Sequence, residues 1–294
     1  MPTMDQWASN GRPFKGLIIG DSGSGKTALV AYLANEGYEL FWADFDNGLS
    51  IIPKIIKNPA ALKRIHYKTL TDKLEAKGGK IFLDGCPEAA NTFQMMLANW
   101  IDGGKPYGAI HTWGVDRVLV LDSLTLLGRA LLSRVLFLNS RNGQKPWPGD
   151  WGDAMDNMEN ILALLYSEVI KCNVIITAHV TTISKNTGEV DSKGEEILIE
   201  KAYPSALGAK LPPKVGRYFD VVLKMNSITR DRTTVRQLFT QGDAMMDLKC
   251  PAIELPMALP HETGLYEVFK AMGVPRPGAI QIPPKGESEP PAAA

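Results

Sequence analysis

Cysteine is scarce in this sequence: Cys86, Cys172 and Cys250 are far apart and odd in number, which excludes a disulfide framework and a CxxC metal site. A reducing cytoplasm is the expected setting. Long apolar runs are missing too, none approaching the roughly 18 residues of a membrane span, so no membrane partner is expected. The N-terminal MPTMDQWASNGRPF lacks the cationic and apolar blocks of a signal peptide. Net charge is also absent, with 32 Lys and Arg against 32 Asp and Glu, and therefore no overall basic field to hold nucleic acid. No internal repeat is present. What remains is an ordinary globular composition in 294 residues, enough for one large α/β domain or two small ones.

The strongest positive signal is Gly16 to Thr27, GLIIGDSGSGKT. A short apolar run leads into Gly20-Asp21-Ser22-Gly23-Ser24-Gly25-Lys26-Thr27, and the following ALVAYLA reads as a helix. Strand, glycine-rich loop and helix, in that order, make a phosphate cradle. The glycines let backbone N–H groups turn inward around an anion, and the helix N-terminus adds partial positive charge. Lys26 is positioned to reach β- and γ-phosphates, and Thr27 to offer its hydroxyl to Mg²⁺.

Further along, ELFWADFD predicts a second strand ending in Asp44 and Asp46, with Asn47-Gly48 as the turn out. Ile65 to Thr69 and Lys80 to Asp84 are candidate short strands, and Pro87 to Ile101 reads as a helix. RVLVLDS, Arg117 to Ser123, is an apolar run tipped by a carboxylate, the pattern of a buried parallel strand entering a site. A helix follows, then a polar loop from Asn139 to Gly152 carrying Trp147 and Trp151, then a helix from Asp153 to Ile170. NVIITA delivers His179 at its end. Val180 to Ser184 and Glu196 to Glu200 suggest a hairpin turning at 185–188. Strands at Phe219 to Met225 and Val235 to Thr240 and a helix at Gly264 to Met272 complete the ordered chain, and Pro275 to Ala294 reads as a flexible proline-rich tail. The expected organisation is an arm over 1–15, one domain over 16–274 and a tail over 275–294.

Alternating strands and helices predict an α/β fold with a mostly parallel central sheet flanked by helices. Ligands of such sheets sit beyond the carboxyl ends of the strands, where Lys26, Asp46, Asp122 and His179 can converge. Asp122 is the expected Mg²⁺ partner of Thr27, a role compatible with capping the next helix through Asp122 or Ser123. Asp44 and Asp46 are the candidates to activate water; strand alternation sends both to one side, with Asp46 nearer the tip. Either could instead form the turn. His179 is a candidate γ-phosphate sensor or a hydrogen-bonded structural residue.

GDSGSGKT, then VLVLDS, then VIITAH, with little sequence before the loop, resemble the RecA-like core of P-loop ATPases, and among these the small phage-encoded single-domain proteins linked to single-strand annealing and recombination. The resemblance spans about Gly16 to Pro256. It implies a RecA-like P-loop NTPase core with a C-terminal β extension, and ATP and Mg²⁺ as cofactors. It further implies a homo-oligomer, ring or filament, on single-stranded DNA, with a single-strand-binding protein as a possible further partner, in a bacterial or phage-infected cytoplasm. The water-activating acid maps to Asp46, where such proteins usually carry glutamate. The DNA-facing loops map to Asn139–Gly152 and Val180–Lys214. A basic residue reaching a neighbouring subunit's phosphates maps to Lys249, with Arg230 and Arg232 as rivals.

The residues themselves support the DNA reading in part. Eight basic residues between Lys201 and Arg236 face two acidic ones, a local excess of +6. Lys201, Lys210, Lys214 and Arg217 could track phosphates, or simply be solvated. Trp147 and Trp151 could stack on bases, clasp the domain or contact another subunit. Three functions follow: a DNA-stimulated ATPase, a nucleotide-gated DNA-binding or assembly protein with little hydrolysis, and a small-molecule phosphotransferase, for which an arginine-rich lid is missing.

Overall fold

The computed structural model describes residues 12–278 except 191–193, 195 and 231–232. Apolar, β-rich segments build the central sheet: β1 (Lys15–Ile19), β2 (Glu39–Asp44), β3 (Ile65–Thr69), β8 (Arg117–Asp122), β9 (Asn173–Ala178), β12 (Val221–Arg230), β13 (Thr233–Phe239) and β14 (Ala258–Pro260). Their order across the sheet is β14-β13-β12-β1-β9-β8-β2-β3. From β3 to β12 every pairing is parallel, while β13 and β14 extend the sheet antiparallel. β9 thus separates the glycine-loop strand β1 from the Asp122 strand β8, the arrangement of a RecA-like core. Strands such as β1 and β9 are buried along their whole length, as both faces are covered.

The main helices are α1 (Lys26–Ala31), α2 (Ala89–Ala98), α3 (Leu124–Leu138), α4 (Pro148–Tyr166) and α5 (Gly264–Ala271). One apolar cluster joins one face of the sheet to α2, α3 and α4 through residues such as Phe93, Leu127, Met158 and Leu165. A second lies on the opposite face beneath α1 and α5, around Trp42, Leu29, Leu265 and Phe269.

Three small hairpins stand off the sheet: β4 (Leu74–Lys77) with β5 (Lys80–Leu83), β6 (Trp100–Asp102) with β7 (Lys105–Gly108), and β10 (Val180–Val190) with β11 (Glu196–Pro204). β4 and the β6–β7 hairpin depart from the sequence expectation. The helix expected to reach Ile101 stops at Ala98 because Asn99 turns extended (φ −160°), and Gly103 and Gly104, both at positive φ, reverse the chain. The expected turn at 185–188 is strand, since β10 runs on to Val190.

Two further corrections bear on function. α4 begins at Pro148, so the loop after α3 ends at Trp147 and Trp151 is helical. The expected domain limits shift as well. Lys15 is the first residue of β1, and Phe14 packs on Phe269 with ring centroids 4.4 Å apart. At the other end, the Pro275 carbonyl accepts from the Tyr38 hydroxyl at 3.1 Å and Arg276 pairs with Glu36. The remainder of the expected arm and tail, residues 1–11 and 279–294, lies outside the described residues.

Candidate functional site

Beyond the carboxyl ends of β1, β2, β8 and β9 lies a cavity of about 730 Å³, lined among others by Gly25, Lys26, Thr27, Asp46, Asp122 and His179. Gly25 caps α1 in the left-handed region, φ 103°, and so aims the first helical N–H groups at this space. The Lys26 ammonium folds over the loop, donating to the Gly20 and Asp21 carbonyls at 2.8 and 3.0 Å, and burial lowers its pKa. The Ser24 hydroxyl oxygen is buried without a hydrogen-bond partner among the described residues. An orphaned donor inside a glycine loop is what a phosphate would satisfy, so the loop's chemistry fits a nucleotide. Gly20 and Gly23 shape the loop around it, with Asp21 and Ser22 on its exposed rim.

Asp122 gathers the metal-binding half of the site. Its Oδ2 accepts from the Thr27 hydroxyl at 2.9 Å and from the Trp42 indole at 3.3 Å, while Oδ1 accepts from Thr177. Burial pushes its pKa up, opposed by the Thr177 hydrogen bond. Thr27 and Asp122, a hydroxyl and a carboxylate in contact, match the sparse oxygen set that Mg²⁺ takes alongside phosphates and water. No cluster of three or more His, Cys, Asp or Glu able to hold a metal exists among the described residues. When bound there, Mg²⁺ would draw charge from the phosphate oxygens.

The two candidate bases part company. The Asp122 carbonyl accepts the N–H groups of both Phe45 and Asp46, at 2.6 and 3.2 Å. That fold-over ends β2 at Asp44, so alternation does not extend to Asp46 and the two side chains do not share a side. Asp44 is buried, takes the Gly48 N–H at 3.3 Å and the Thr69 hydroxyl at 3.5 Å, and does not line the cavity. Its burial raises its pKa to about 6. Asp46 lines the cavity, accepting from the Ser123 hydroxyl at 2.6 Å and facing His179 Nε2 at 3.2 Å. Burial works against its charge, but the His179 and Ser123 hydrogen bonds and the nearby Lys26 prevail, and its pKa falls below the usual range. A low-pKa carboxylate is ionised at neutral pH and can orient a water by accepting its hydrogen bond.

His179 also ties this site to the β10–β11 hairpin. Its N–H donates to Thr125 Oγ1 at 3.1 Å, that hydroxyl donates to the Ser205 carbonyl at 3.0 Å, and the Ser205 N–H returns to the His179 carbonyl at 2.6 Å. Both legs of the hairpin therefore close on His179.

A family model described as AAA domain matches residues 12–250. The chain belongs to the AAA domain family. With its glycine loop and strand-tip aspartate, this AAA domain is a P-loop ATPase. No curated protein matches the chain. Among solved structures it is similar to the flagellar accessory protein FlaH from Methanocaldococcus jannaschii at 13% identity and a TM-score of 0.35, over 80% of this chain and 82% of that one.

The other expected residues are scattered around this AAA domain. Lys249 lies next to Val222, at the amino end of β12, and its ammonium donates to the Phe219 carbonyl at 2.7 Å. Within its own chain it is therefore at the far end of the sheet from the glycine loop. Arg230 ends β12, and Arg232 lies outside the described residues. Lys201 pairs with Asp247, and Arg217 with Glu159, so part of the local +6 is neutralised in place, while Lys210 and Lys214 are exposed. Trp151 is half-buried against the α3–α4 core and near Gly208, so it serves at least in part as the clasp on the domain. Trp147 is 63% exposed. It sits under the Arg141 guanidinium, whose partner Asp150 accepts the Trp147 N–H at 2.8 Å.

Sequence reasoning missed Arg236 and His261, which lie against Gly25 from β13 and from the turn after β14. Nothing local in the sequence marks them, since both reach the loop from more than 200 positions away.

Proposed function

We propose that this AAA domain is a Mg²⁺-dependent ATPase that assembles on single-stranded DNA and serves recombination or strand annealing in a bacterial or phage-infected cytoplasm. The observation that carries the reading is the Asp46–His179 contact. The residue best placed to position water touches the residue on which both legs of the β10–β11 hairpin close. Loss of the γ-phosphate would change what Asp46 and His179 face, and the hairpin would be released or reset, coupling ATP state to DNA grip. The DNA-facing surface would comprise that hairpin with Lys201, the following Lys210 and Lys214, and the Trp147 loop. Lys249 would act only on a neighbouring subunit's nucleotide, within a ring or filament, and a single-strand-binding protein is a natural co-ligand of the same DNA.

ATP turnover with and without single-stranded DNA tests this. Stimulation is expected, with DNA affinity differing between ATP and ADP. If DNA neither binds nor changes turnover, the recombination reading fails. A second reading has an observation of its own: both Asp46 oxygens are already engaged, by Ser123 and His179. That favours a nucleotide-gated switch with slow hydrolysis, in which DNA affinity would be the same in ATP and in a non-hydrolysable analogue.

A further inference from the structure

The cavity has a second end, away from Asp46 and His179, walled by Tyr32, Arg236, His261 and Glu262. Its cation comes from the antiparallel extension. β12 pairs with β1 only as far as Lys224 opposite Ile19, then runs on beside β13, where Arg236 stands opposite Ser227. At about 3.3 Å per residue, that puts Arg236 about 10 Å beyond the tip of β1, level with the glycine loop. The approach is close: a Cβ on Gly25 would lie 2.8 Å from Arg236 Cδ and 2.9 Å from His261 Nε2. Gly25 is thus glycine for two reasons, its positive φ and the side chains lying on it.

His261 latches the loop. Its Nε2–H donates to the Gly25 carbonyl at 3.1 Å, which fixes the tautomer, and its ring meets Tyr32 edge-on at 5.5 Å. Arg236 by contrast makes no hydrogen bond or ion pair among the described residues. Glu262, on the same rim, lies 4.0 Å from His261 Nδ1 instead. An arginine on the cavity wall, its five donors taken by none of the described residues, is free to reach an anion bound there.

We infer that Arg236 binds the phosphates of the nucleotide held by its own chain, at the end shared by ADP and ATP, as a positioning residue opposite Lys26. The inference rests on the nucleotide-site reading. The γ-phosphate belongs with Lys26, Asp46 and His179. Arg236 lies instead over the cap of α1, where the α- and β-phosphates meet the first helical N–H groups. The β13–β14 extension thereby becomes part of the nucleotide site.

The test is competitive binding against a fluorescent ADP with Mg²⁺, using ATP, ADP and adenosine, on the full chain and on Arg236→Gln, Arg236→Lys and Lys26→Ala. Arg236→Gln should weaken ATP and ADP together, about tenfold or more for the loss of a charged pair, and leave adenosine unchanged. Arg236→Lys should recover most of that loss. Arg236 is exposed, so the variants keep the wild-type thermal midpoint without nucleotide. If Lys26→Ala destroys binding while Arg236→Gln binds ADP like wild type, the inference falls and the site stands. A loss confined to ATP moves Arg236 to the γ-phosphate and also overturns it. Undiminished binding by Lys26→Ala brings down the site reading itself.

Discussion

Replacing Asp46 by asparagine removes a charge and almost nothing else. The carboxylate now accepts from Ser123 at 2.6 Å and faces His179 Nε2 at 3.2 Å. An amide keeps one acceptor for one of these partners, and the Ser123 hydroxyl can turn to accept from the amide NH₂. Fold and nucleotide affinity should therefore stay within about threefold of wild type, since no phosphate-binding group moves. What disappears is the basic oxygen. A positioned general base contributes about 10²–10⁴ in rate, or about 2.7–5.5 kcal/mol of barrier. Steady-state phosphate release and calorimetric nucleotide affinity, measured on Asp46→Asn and on Asp44→Asn, separate the two aspartates. Asp46→Asn should lose at least about 100-fold in turnover with affinity intact. Asp44→Asn, whose side chain is turned to Gly48 and Thr69, should lose little. Turnover by Asp46→Asn above about a tenth of wild type would refute the assignment, because no such base could be missing.

Three other outcomes follow from the same geometry. Asp122→Asn sets an amide NH₂ against donors, either Thr177 or the Thr27 and Trp42 pair; the Mg²⁺ concentration for half-maximal turnover should rise about tenfold or more, read from a metal titration. Asp44, raised to about 6 by burial, holds its proton more tightly folded than unfolded, so its contribution to stability declines as pH climbs from about 4 to 6. Asp44→Asn should accordingly gain up to about 3 kcal/mol over wild type at pH 7 and nothing at pH 4, and urea midpoints that shift equally at both pH values would contradict this. Phe93 is fully buried in the α2 face of the core. Phe93→Ala should cost about 3–5 kcal/mol in urea denaturation, and a loss below about 1 kcal/mol would mean that α2 is not packed as described.

Features written locally in the chain were legible. The glycine loop, the apolar strand tipped by Asp122 and the one delivering His179 are contiguous patterns, and each sits where its pattern implies. Asp46 was recognisable as a candidate, but its route was not, because the hydrogen bonds from Phe45 and Asp46 that end β2 go to a carbonyl on another strand. The early start of α4 had a readable sign in Pro148, a first-turn residue, with Asp150 two positions on. The glycines and second tryptophan around it read as loop. Likewise Asp102-Gly103-Gly104 signals a tight reversal that the helical spacing before it obscured. Arg236 and His261 show the real limit: a cation meets the loop only because sheet order sets β12 beside β1, and order is a property of the whole fold.

Lys15 gives the molecule a mechanical character. Its buried ammonium holds the carbonyls of Leu165, Ile170 and Cys172, at 2.9, 3.0 and 3.3 Å, and so fastens the far end of α4 to the strand that feeds the glycine loop. From that anchorage α4 runs 19 residues to Trp147 at its start, about 28 Å at 1.5 Å per residue. The same helix is buried along its length through Ala154, Met158, Ile161 and Leu162, so the Lys15 clamp and the core together brace it as a strut that holds the exposed indole at a set distance from the strand feeding the glycine loop.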